Sequence, residues 1–500
     1  NPWGGDPSLE ESNPIAPGSR VRLVAGAAGA CAGVLGCVPV GGAGGPSPLA
    51  KSGDGLQHKL SMGLSRAAGV IALAAAFLPV DSSLTAHQAR QPLPDELRGR
   101  CPAFLGQPPP LEVRTGGGPM EDSGLPGLTE VMWVGPECLG VFAGSPAVLK
   151  LDGSGGWLFA HDFFGASIRT RGINNTVQVF HSADNGETWS YRSNVTSIYW
   201  ANLFSVNGDI YLLGTHGDDF HIVSPPNTKP MKGGPVTISK STDQGQSFGP
   251  PAVILQGSYQ TGPCPVISVN GTLYRTMEDS SVGVGALLMW ADESADLLSP
   301  ASWYHSASLV APSAPGGKHV DWQEGSAVES PSGEVWNVLR VNGQSVGWHN
   351  KAAIAVLDQQ QSQLRFKQWV DGPFGTSKFV VRRDPESDRS TGASPRYFAV
   401  STNVTAQAVA LGAIGARNNL VLSTSVDLLQ WKVCTTLLTD NTGFSPADSA
   451  KYTGFEYPDW QFDGPADMLV GIRTAYRGAA GAGSSNRMTS LRVQNFRELC

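Results

Sequence analysis

Eight residues recur in this chain. Ser182-Ala183-Asp184-Asn185-Gly186-Glu187-Thr188-Trp189 has the pattern S-x-D-x-G-x-T-W, and Ser241-Thr242-Asp243-Gln244-Gly245-Gln246-Ser247-Phe248 repeats it. Two shorter copies follow, Ser294-Ala295-Asp296-Leu297 with Trp303 downstream and Ser425-Val426-Asp427-Leu428 with Trp431. The four starts lie 59, 53 and 131 residues apart, and 131 is about twice 65, so one copy is missing from a period near sixty. The chemistry of such a turn is local. The Asp accepts N–H groups of its own loop, the Gly supplies a positive φ, and the aromatic tucks under the turn. Asp184, Gly186, Trp189, Asp243, Gly245 and Phe248 are therefore read as structural rather than catalytic. A sixty-residue unit closed by a signature turn predicts an all-β fold, a six-bladed β-propeller filling residues 126–500. The 61 Gly and 36 Pro among 500 residues supply the tight turns this needs and disfavour a helical bundle.

A second repeat agrees with the first. Six pairs of apolar strands are separated by polar turns: Ser145–Leu151 with Gly156–Asp162, Tyr199–Val206 with Asp209–His216, Pro265–Val269 with Thr272–Asp279, Gly325–Glu329 with Glu334–Asn342, Lys378–Arg382 with Tyr397–Thr402, and Gly454–Gln461 with Met468–Arg477. In a propeller the strand ends on one face form the mouth of the central channel. That mouth is expected to carry His161, Asp162, His216, Arg275, Glu278, Asp279, Arg340, Arg473 and Arg477, a concentration of charge in a chain only 15% charged. A concave, polar, convergent surface is what a ligand site requires.

The net charge of −7 argues against a nucleic-acid partner, and no run is long and apolar enough for a membrane span. Residues 1–61 are low-complexity, rich in Gly, Ala, Pro and Ser. Residues 62–89 join Arg66 to an apolar run, Ala67–Val80, and an Ala-rich exit, the pattern of a secretory signal. Residues 90–125 read as a linker. The sequons at Asn174, Asn194, Asn270 and Asn403 fit a secreted or endomembrane-lumen protein. Beyond Met62 the cysteines are Cys101, Cys138, Cys264, Cys434 and Cys500, an odd number that leaves at least one without a partner in the chain.

The recurrent turns resemble the Asp-boxes, or BNR repeats, of the sialidase superfamily. Trp322-Gln323-Glu324-Gly325-Ser326-Ala327-Val328-Glu329, with Arg340 sixteen residues after Glu324, resembles the family's Glu and Arg on neighbouring inner strands. Lys378–Arg382 resembles the strand bearing a later active-site Arg. Gly454-Phe455-Glu456-Tyr457-Pro458-Asp459-Trp460 resembles the strand bearing the catalytic Tyr, and Thr489–Leu499 the closing strand. The resemblance covers roughly residues 125–499. It departs where the family begins its first blade with an Arg-Ile-Pro-like motif, since this chain reads Gly144-Ser145-Pro146 there and lacks the first Arg of the triad. Arg473 and Arg275 are the candidates to replace it.

The resemblance implies a secreted exo-glycosidase that hydrolyses a terminal anionic sugar with retention. Tyr457 would be the nucleophile and Glu324 its general base, with Asp162 as the acid, given a raised pKa. Arg340 and Arg382 would clamp the substrate anion, with Arg473, Arg275, Glu278 and His216 completing the binding surface. The partner is an anionic glycan; no cofactor or metal is expected, because His216 with Asp218, Asp219 and His221 has no metal-motif spacing and reads as a solvated loop. Blander readings stay open. Tyr457 can be a channel-lining aromatic, Glu324 with Arg340 a structural ion pair, and Asp162 a turn residue. So do two other functions: a non-catalytic glycan-binding propeller, or a uronate lyase with Tyr457 or His216 as base.

Overall fold

The structure is a computed structural model that describes Met120, Leu125 and residues 127–135, 138, 140–153, 156–168, 173, 175–216, 233–389 and 394–500. The expected extension 1–61, the signal 62–89 and most of the linker 90–125 lie outside the described residues, as do Asn174, Asp218, Asp219 and His221.

The described chain folds into antiparallel sheets that divide into six four-stranded blades; blades 2 and 3 are joined into one eight-stranded sheet by the pairing of Tyr259 and Gln260 with Asp279 and Glu278, and a two-stranded sheet, Phe142–Ala143 with Phe163–Phe164, stands outside the blades. Blade 1 is Ala147–Lys150, Trp157–His161, Thr176–Ser182 and Ser190–Thr196. Blade 2 is Tyr199–Val206, Asp209–Thr215, Gly234–Ser241 and Ala252–Gln260. Blade 3 is Ile267–Val269, Thr272–Asp279, Gly285–Asp292 and Tyr304–His305. Blade 4 is Asp321–Glu329, Val335–Asn342, Lys351–Asp358 and Gln363–Asp371. Blade 5 is Val380–Arg383, Tyr397–Thr402, Asn419–Ser425 and Lys432–Thr439. Blade 6 is Gly454–Asp463, Asp467–Ala475 and Arg487–Val493, completed by the distant Leu128–Trp133. The six apolar pairs of the sequence are the first and second strands of these blades. They were readable because the inner strands are packed on both faces: all six residues of Tyr397–Thr402 are buried, whereas the outer Gln363–Asp371 exposes most of its length.

The signature turns join the third and fourth strands of blades 1 and 2. Ser182 Oγ accepts from Gly186 N (2.7 Å), Asp184 Oδ1 accepts from Thr188 N (2.9 Å), and Thr188 Oγ1 donates to Asp184 Oδ2. Ser241, Asp243, Gly245 and Ser247 repeat the same bonds. Desolvation, the largest single influence, acts to raise the Asp243 carboxyl, but the donors of Ser247, Ser241 and Gln246 together outweigh it and bring it down to about 2. Gly186 and Gly245 both have positive φ, and each backs onto the preceding blade: an added Cβ would lie 2.9 Å from Leu469 and 2.8 Å from Leu158 respectively. Trp189 reaches further, donating from Nε1 to Ser490 Oγ of blade 6 (2.8 Å), while Phe248 packs against the apolar layer between blades 1 and 2. In blade 5 Leu428 stands where Asn185 and Gln244 stand in the full copies and shares their positive φ (65° against 61°), and Trp431 Nε1 donates to Leu428 O (3.1 Å). The missing copy belongs to blade 4, whose corresponding turn is Gln359–Ser362. Blade 6 has no such turn because its outer strand comes from the other end of the propeller.

The core lies between blades. Trp157, Phe159, Phe180 and Trp189 of blade 1 pack with Leu469 and Met488 of blade 6, and Trp336 and Ile354 of blade 4 pack with Phe379 and Tyr397 of blade 5. Each large side chain buried this way contributes roughly 1.5–3 kcal/mol. The ring is closed by Leu128–Trp133 pairing with Arg487–Val493, from Leu128↔Leu491 to Trp133↔Arg487, with a Glu130–Arg487 ion pair (2.9 Å). A disulfide, Cys434–Cys500, fastens the segment after blade 6 to the outer strand of blade 5; Cys138 is also disulfide-bonded, and Cys264 is a buried free thiol. The Cys434–Cys500 bridge spans 66 residues, for which chain entropy allows up to about 4 kcal/mol. The double variant C434S/C500S is therefore expected to lose about 2–4 kcal/mol in guanidinium unfolding, with an unchanged fold by circular dichroism.

Candidate active site

The innermost strands of blades 2, 4 and 6 share one irregularity. In blade 4, Gln323 faces Arg340 and Ser326 faces Val338, so three steps on one strand oppose two on its neighbour. Blade 6 does the same between Glu456↔Arg473 and Asp459↔Gly471, and blade 2 between Tyr199↔Thr215 and Asn202↔Leu213. Each is a β-bulge, which re-aims a side chain. In each, the residue after the first pair is left-handed: Trp200 at φ 49°, Glu324 at 42° and Tyr457 at 52°. Bulky residues held there cost about 1–3 kcal/mol apiece and persist only when their surroundings enforce the conformation. The enforcement is visible. Trp200 N donates to Asp162 Oδ2 (2.9 Å), Glu324 N to Glu278 Oε1 (2.5 Å) and Tyr457 N to Ser377 Oγ (3.0 Å).

The same register explains two of the arginines. Arg340 and Arg473 occupy equivalent places opposite the bulges of blades 4 and 6. Arg340 Nη1 donates to Glu324 Oε2 and to Tyr457 Oη (3.1 Å), so one nitrogen links the carboxylate and the phenol. Arg473 lies over the Tyr457 ring at 4.8 Å and over the Phe164 ring at 4.1 Å. A third guanidinium, Arg417, lies 6.0 Å from the Tyr457 ring centre, and Arg340 lies 5.9 Å from it. Arg417 and Arg473 are held by the fully buried Glu456, which pairs with Arg417 Nη1 and, at 3.1 Å, with Arg473 Nε. Further bonds fix both groups: Arg417 Nη2 to Thr376 O (3.1 Å), and Arg473 Nε to Ser485 Oγ (3.1 Å). Three guanidiniums thus surround one phenol, with the carboxylates of Glu324 and Glu456 among them. Burial and the Glu324 charge push the Tyr457 phenol up to about 12, opposed by the three arginines. Arg340 stays firmly charged, because Glu324 and Tyr457 outweigh the cost of its burial.

The structure brings Tyr457, Glu324, Arg340 and Arg473 together, but it distributes the other candidates differently. The phenol and Glu324 meet through Arg340; the hydroxyl of Tyr457 is bonded to that guanidinium and not to the carboxylate. Arg382 does not face the same void. It lies four residues beyond Lys378, about 13 Å along the strand, where Nη2 donates to the buried Asp459 (3.4 Å) and Nε to Trp460 O. A buried carboxylate needs a cation, and Asp459 takes this one. Arg382 also lines a cavity of about 350 Å³ with Glu329, Arg383 and Phe462, toward the far end of the inner strands.

Asp162 sits behind Trp200, 1% exposed, with Oδ1 accepting from Ser145 N (2.8 Å) and Oδ2 from Trp200 N, so both oxygens are committed to the backbone. Burial raises its pKa to about 6 despite these donors. The chain wraps so closely around it that a Cβ on Gly144 would lie 1.8 Å from Oδ1, which leaves no room for an arginine at that residue. Arg275 is fully buried. It donates to Leu213 O and Trp200 O (3.3 Å), and burial brings its pKa down to about 10. Glu278 also lies beneath the surface, accepting from the Glu324 peptide and from Gln260 Nε2 (3.3 Å); burial and the charge of Glu324 raise its pKa. His216 lies at the rim, its Nδ1 3.0 Å from Ser197 O. His161 is buried against Phe180 (5.6 Å) and held neutral, its pKa lowered to about 4 by burial.

Sequence reasoning missed Arg417, Glu456, Ser377 and Trp200. Glu456 adjoins Tyr457 and could have been found by asking what neutralises the gathered arginines. Among the described residues no group of three or more His, Cys, Asp or Glu side chains is arranged to hold a metal ion, and no helix is long and apolar enough to cross a membrane.

No protein-family model matches the sequence, and no curated protein does. Solved structures resembling this one include an α-L-arabinanase of Penicillium chrysogenum complexed with arabinobiose (12% identical, TM-score 0.47, covering 71% of this chain and 94% of that one). They also include the NanB sialidase of Streptococcus pneumoniae (11% identical, TM-score 0.45, covering 71% and 68%). A third is the intramolecular trans-sialidase of Ruminococcus gnavus (11% identical, TM-score 0.44, covering 72% and 95%).

Proposed function

We propose that the protein is a secreted glycoside hydrolase that removes a terminal anionic sugar, with retention, through a covalent bond to Tyr457. The observation that carries this reading is the convergence of Arg340, Arg417 and Arg473 on one phenol whose hydroxyl shares Arg340 Nη1 with Glu324. A phenol suits an anomeric carbon that bears a carboxylate, because an attacking carboxylate would meet like charge there. With its pKa near 12 the phenol is neutral before reaction and needs a base. Glu324 is that base. Forked guanidinium bonds from the converging arginines hold the substrate's carboxylate and fix its orientation.

As Tyr457 Oη bonds to the anomeric carbon, its proton passes to Glu324, the glycosidic bond breaks, and the leaving oxygen takes a proton from solvent water, since both Asp162 oxygens are held by backbone N–H groups. Water then reverses the step at the same carbon, so the configuration is retained. The disulfide fits an oxidising compartment.

A fluorogenic panel tests the reading: 4-methylumbelliferyl α-sialoside, β-glucuronide and neutral glycosides incubated with the purified chain. Release from an acidic glycoside and none from neutral ones is the expected result. Release from neutral glycosides alone removes the anionic sugar from the proposal, and no release with saturable binding leaves a glycan-binding propeller. An unsaturated product absorbing in the ultraviolet identifies a lyase.

A further inference from the structure

We propose that Glu278, on the second strand of blade 3, is a positioning residue of the reaction: as a neutral acid it holds the peptide of Glu324 and leaves the pair's one negative charge on the base. This rests on the glycosidase reading of the same site. The geometry begins at the bulge of blade 4. Glu324 is held left-handed at φ 42°, and its N–H donates across the gap between blades to Glu278 Oε1 (2.5 Å). The two blades approach closely at this height. Asn337 Nδ2 of blade 4 donates to Thr276 Oγ1 of blade 3 (2.9 Å), two residues before Glu278. Gly325, next after Glu324, fits there only because it has no side chain: an added Cβ would lie 2.8 Å from Thr276 Oγ1 and 1.9 Å from Asn337 Oδ1. A bulky left-handed residue persists only where its surroundings enforce it, and for the base the enforcing group is Glu278.

The partners of the two carboxyls decide their charges. Glu324 Oε2 is paired with Arg340. Glu278 is 2% exposed, and both of its hydrogen-bond partners, the Glu324 peptide and the Gln260 amide (3.3 Å), are uncharged. A carboxylate taken out of water without a cation is costly, so the neutral form is favoured. The two carboxyls are also separated by no more than one hydrogen bond and the Glu324 side chain, and like charges that close resist ionising together. Glu324 and Arg340 of blade 4 are the charged groups that face Glu278, whereas the residues paired with it in the sheet, Gln260 and Ala286, are uncharged. Burial and the Glu324 charge raise its pKa, and Arg340 opposes them.

Gln260 suits a neutral acid. Its Oε1 is buried and has no partner among the described residues, so turning the amide over breaks no other bond and presents that oxygen to the Glu278 O–H. The pair then carries one proton, on Glu278, and one charge, on Glu324, which Arg340 Nη1 links to the phenol it deprotonates. The Glu278 proton stays in place through both steps of the reaction, and Glu324 alone exchanges a proton with Tyr457. Ionising Glu278 sets a second like charge against the base, and turnover falls on the alkaline side.

The test compares the full chain with Glu278→Gln, which keeps the acceptor and never ionises, and Glu278→Leu, which removes the acceptor and keeps apolar bulk. Kinetics on 4-methylumbelliferyl α-sialoside and β-glucuronide are recorded from about pH 5 to about pH 9, with thermal midpoints over the same range. The expected result for Glu278→Leu is a fall in kcat of about 10- to 100-fold with KM within about threefold. Glu278→Gln is expected to recover kcat to within about fivefold of wild type and to move the alkaline fall of kcat/KM upward by about one unit or more. The wild-type midpoint declines as pH rises from the ordinary carboxylate range toward the raised pKa of Glu278, because the folded chain keeps a proton that the unfolded chain has lost; in Glu278→Gln that decline is smaller. Unchanged kcat in Glu278→Leu overturns the positioning role, and an unmoved alkaline limb in Glu278→Gln overturns the neutral form. If Glu278→Leu fails to fold, the Gln variant decides. If the wild type turns over neither substrate, the hydrolase reading falls alone, and the proton on Glu278 is judged on the midpoints: equal slopes in wild type and Glu278→Gln overturn it.

Discussion

Tyr457→Phe is expected to lower kcat at least 10³-fold while the KM for an acidic fluorogenic glycoside stays within about threefold. The substitution removes one oxygen. Phe keeps the ring that Arg340, Arg417 and Arg473 surround, so the binding surface survives. What disappears is the atom that attacks, and a loss confined to kcat is the signature of an interaction made only in the reaction's transition state. The folded state loses one hydrogen bond, from Arg340 at 3.1 Å, which is worth about 1 kcal/mol. A thermal midpoint within a few degrees of wild type is therefore expected beside the kinetic loss. Stopped-flow and steady-state assays on the same preparation check both. A variant that keeps more than a tenth of the wild-type kcat would remove Tyr457 from the reaction.

Glu456→Leu is expected to produce the largest loss of stability, about 3–5 kcal/mol in guanidinium unfolding, together with loss of activity. Glu456 is completely buried and is the shared partner of Arg417 and Arg473. Deleting it leaves two cations in a poorly solvated place without their anion, which costs far more than the intact group contributed. The variant also frees the two guanidiniums to leave the Tyr457 ring. Glu456→Gln, equal in shape but uncharged, separates these effects: packing is retained and the electrostatic cost remains. Stability equal to wild type in both variants would mean that the arginines are solvated in solution, and the converging cluster would have no structural basis.

The two variants mark the boundary of what could be read from the chain itself. The six inner strand pairs were legible because their apolar residues run almost unbroken between turn clusters. Glu324 and Arg340 were legible as a pair only through the resemblance of their strands to those of the sialidase superfamily, and the hairpin Asp321–Glu329 with Val335–Asn342 joins them. Arg417 was not, since it lies in the irregular stretch before Asn419–Ser425, where no periodicity fixes its direction. The bulges were invisible for a similar reason. Trp200, Glu324 and Tyr457 are followed by Ala, Gly and Pro, three residues with no common preference, and only the register betrays the extra residue. Arg382 was misplaced because alternation gives the side a residue faces but not its depth along the channel. Asp162 was found at the expected end of its strand, but which atoms its oxygens bind depended on Trp200, 38 residues later.

The strand Leu128–Trp133 is among the earliest parts of the propeller to be synthesised, yet its partner Arg487–Val493 is nearly the last. At about 5–20 residues per second, translation separates the two by tens of seconds. Throughout that interval the nascent chain carries an apolar ribbon with open hydrogen-bonding edges and nothing to join. The sixth blade consequently cannot close until Arg487–Val493 has left the ribosome, and slowed elongation just ahead of that strand should lower the yield of folded product more than slowing elsewhere.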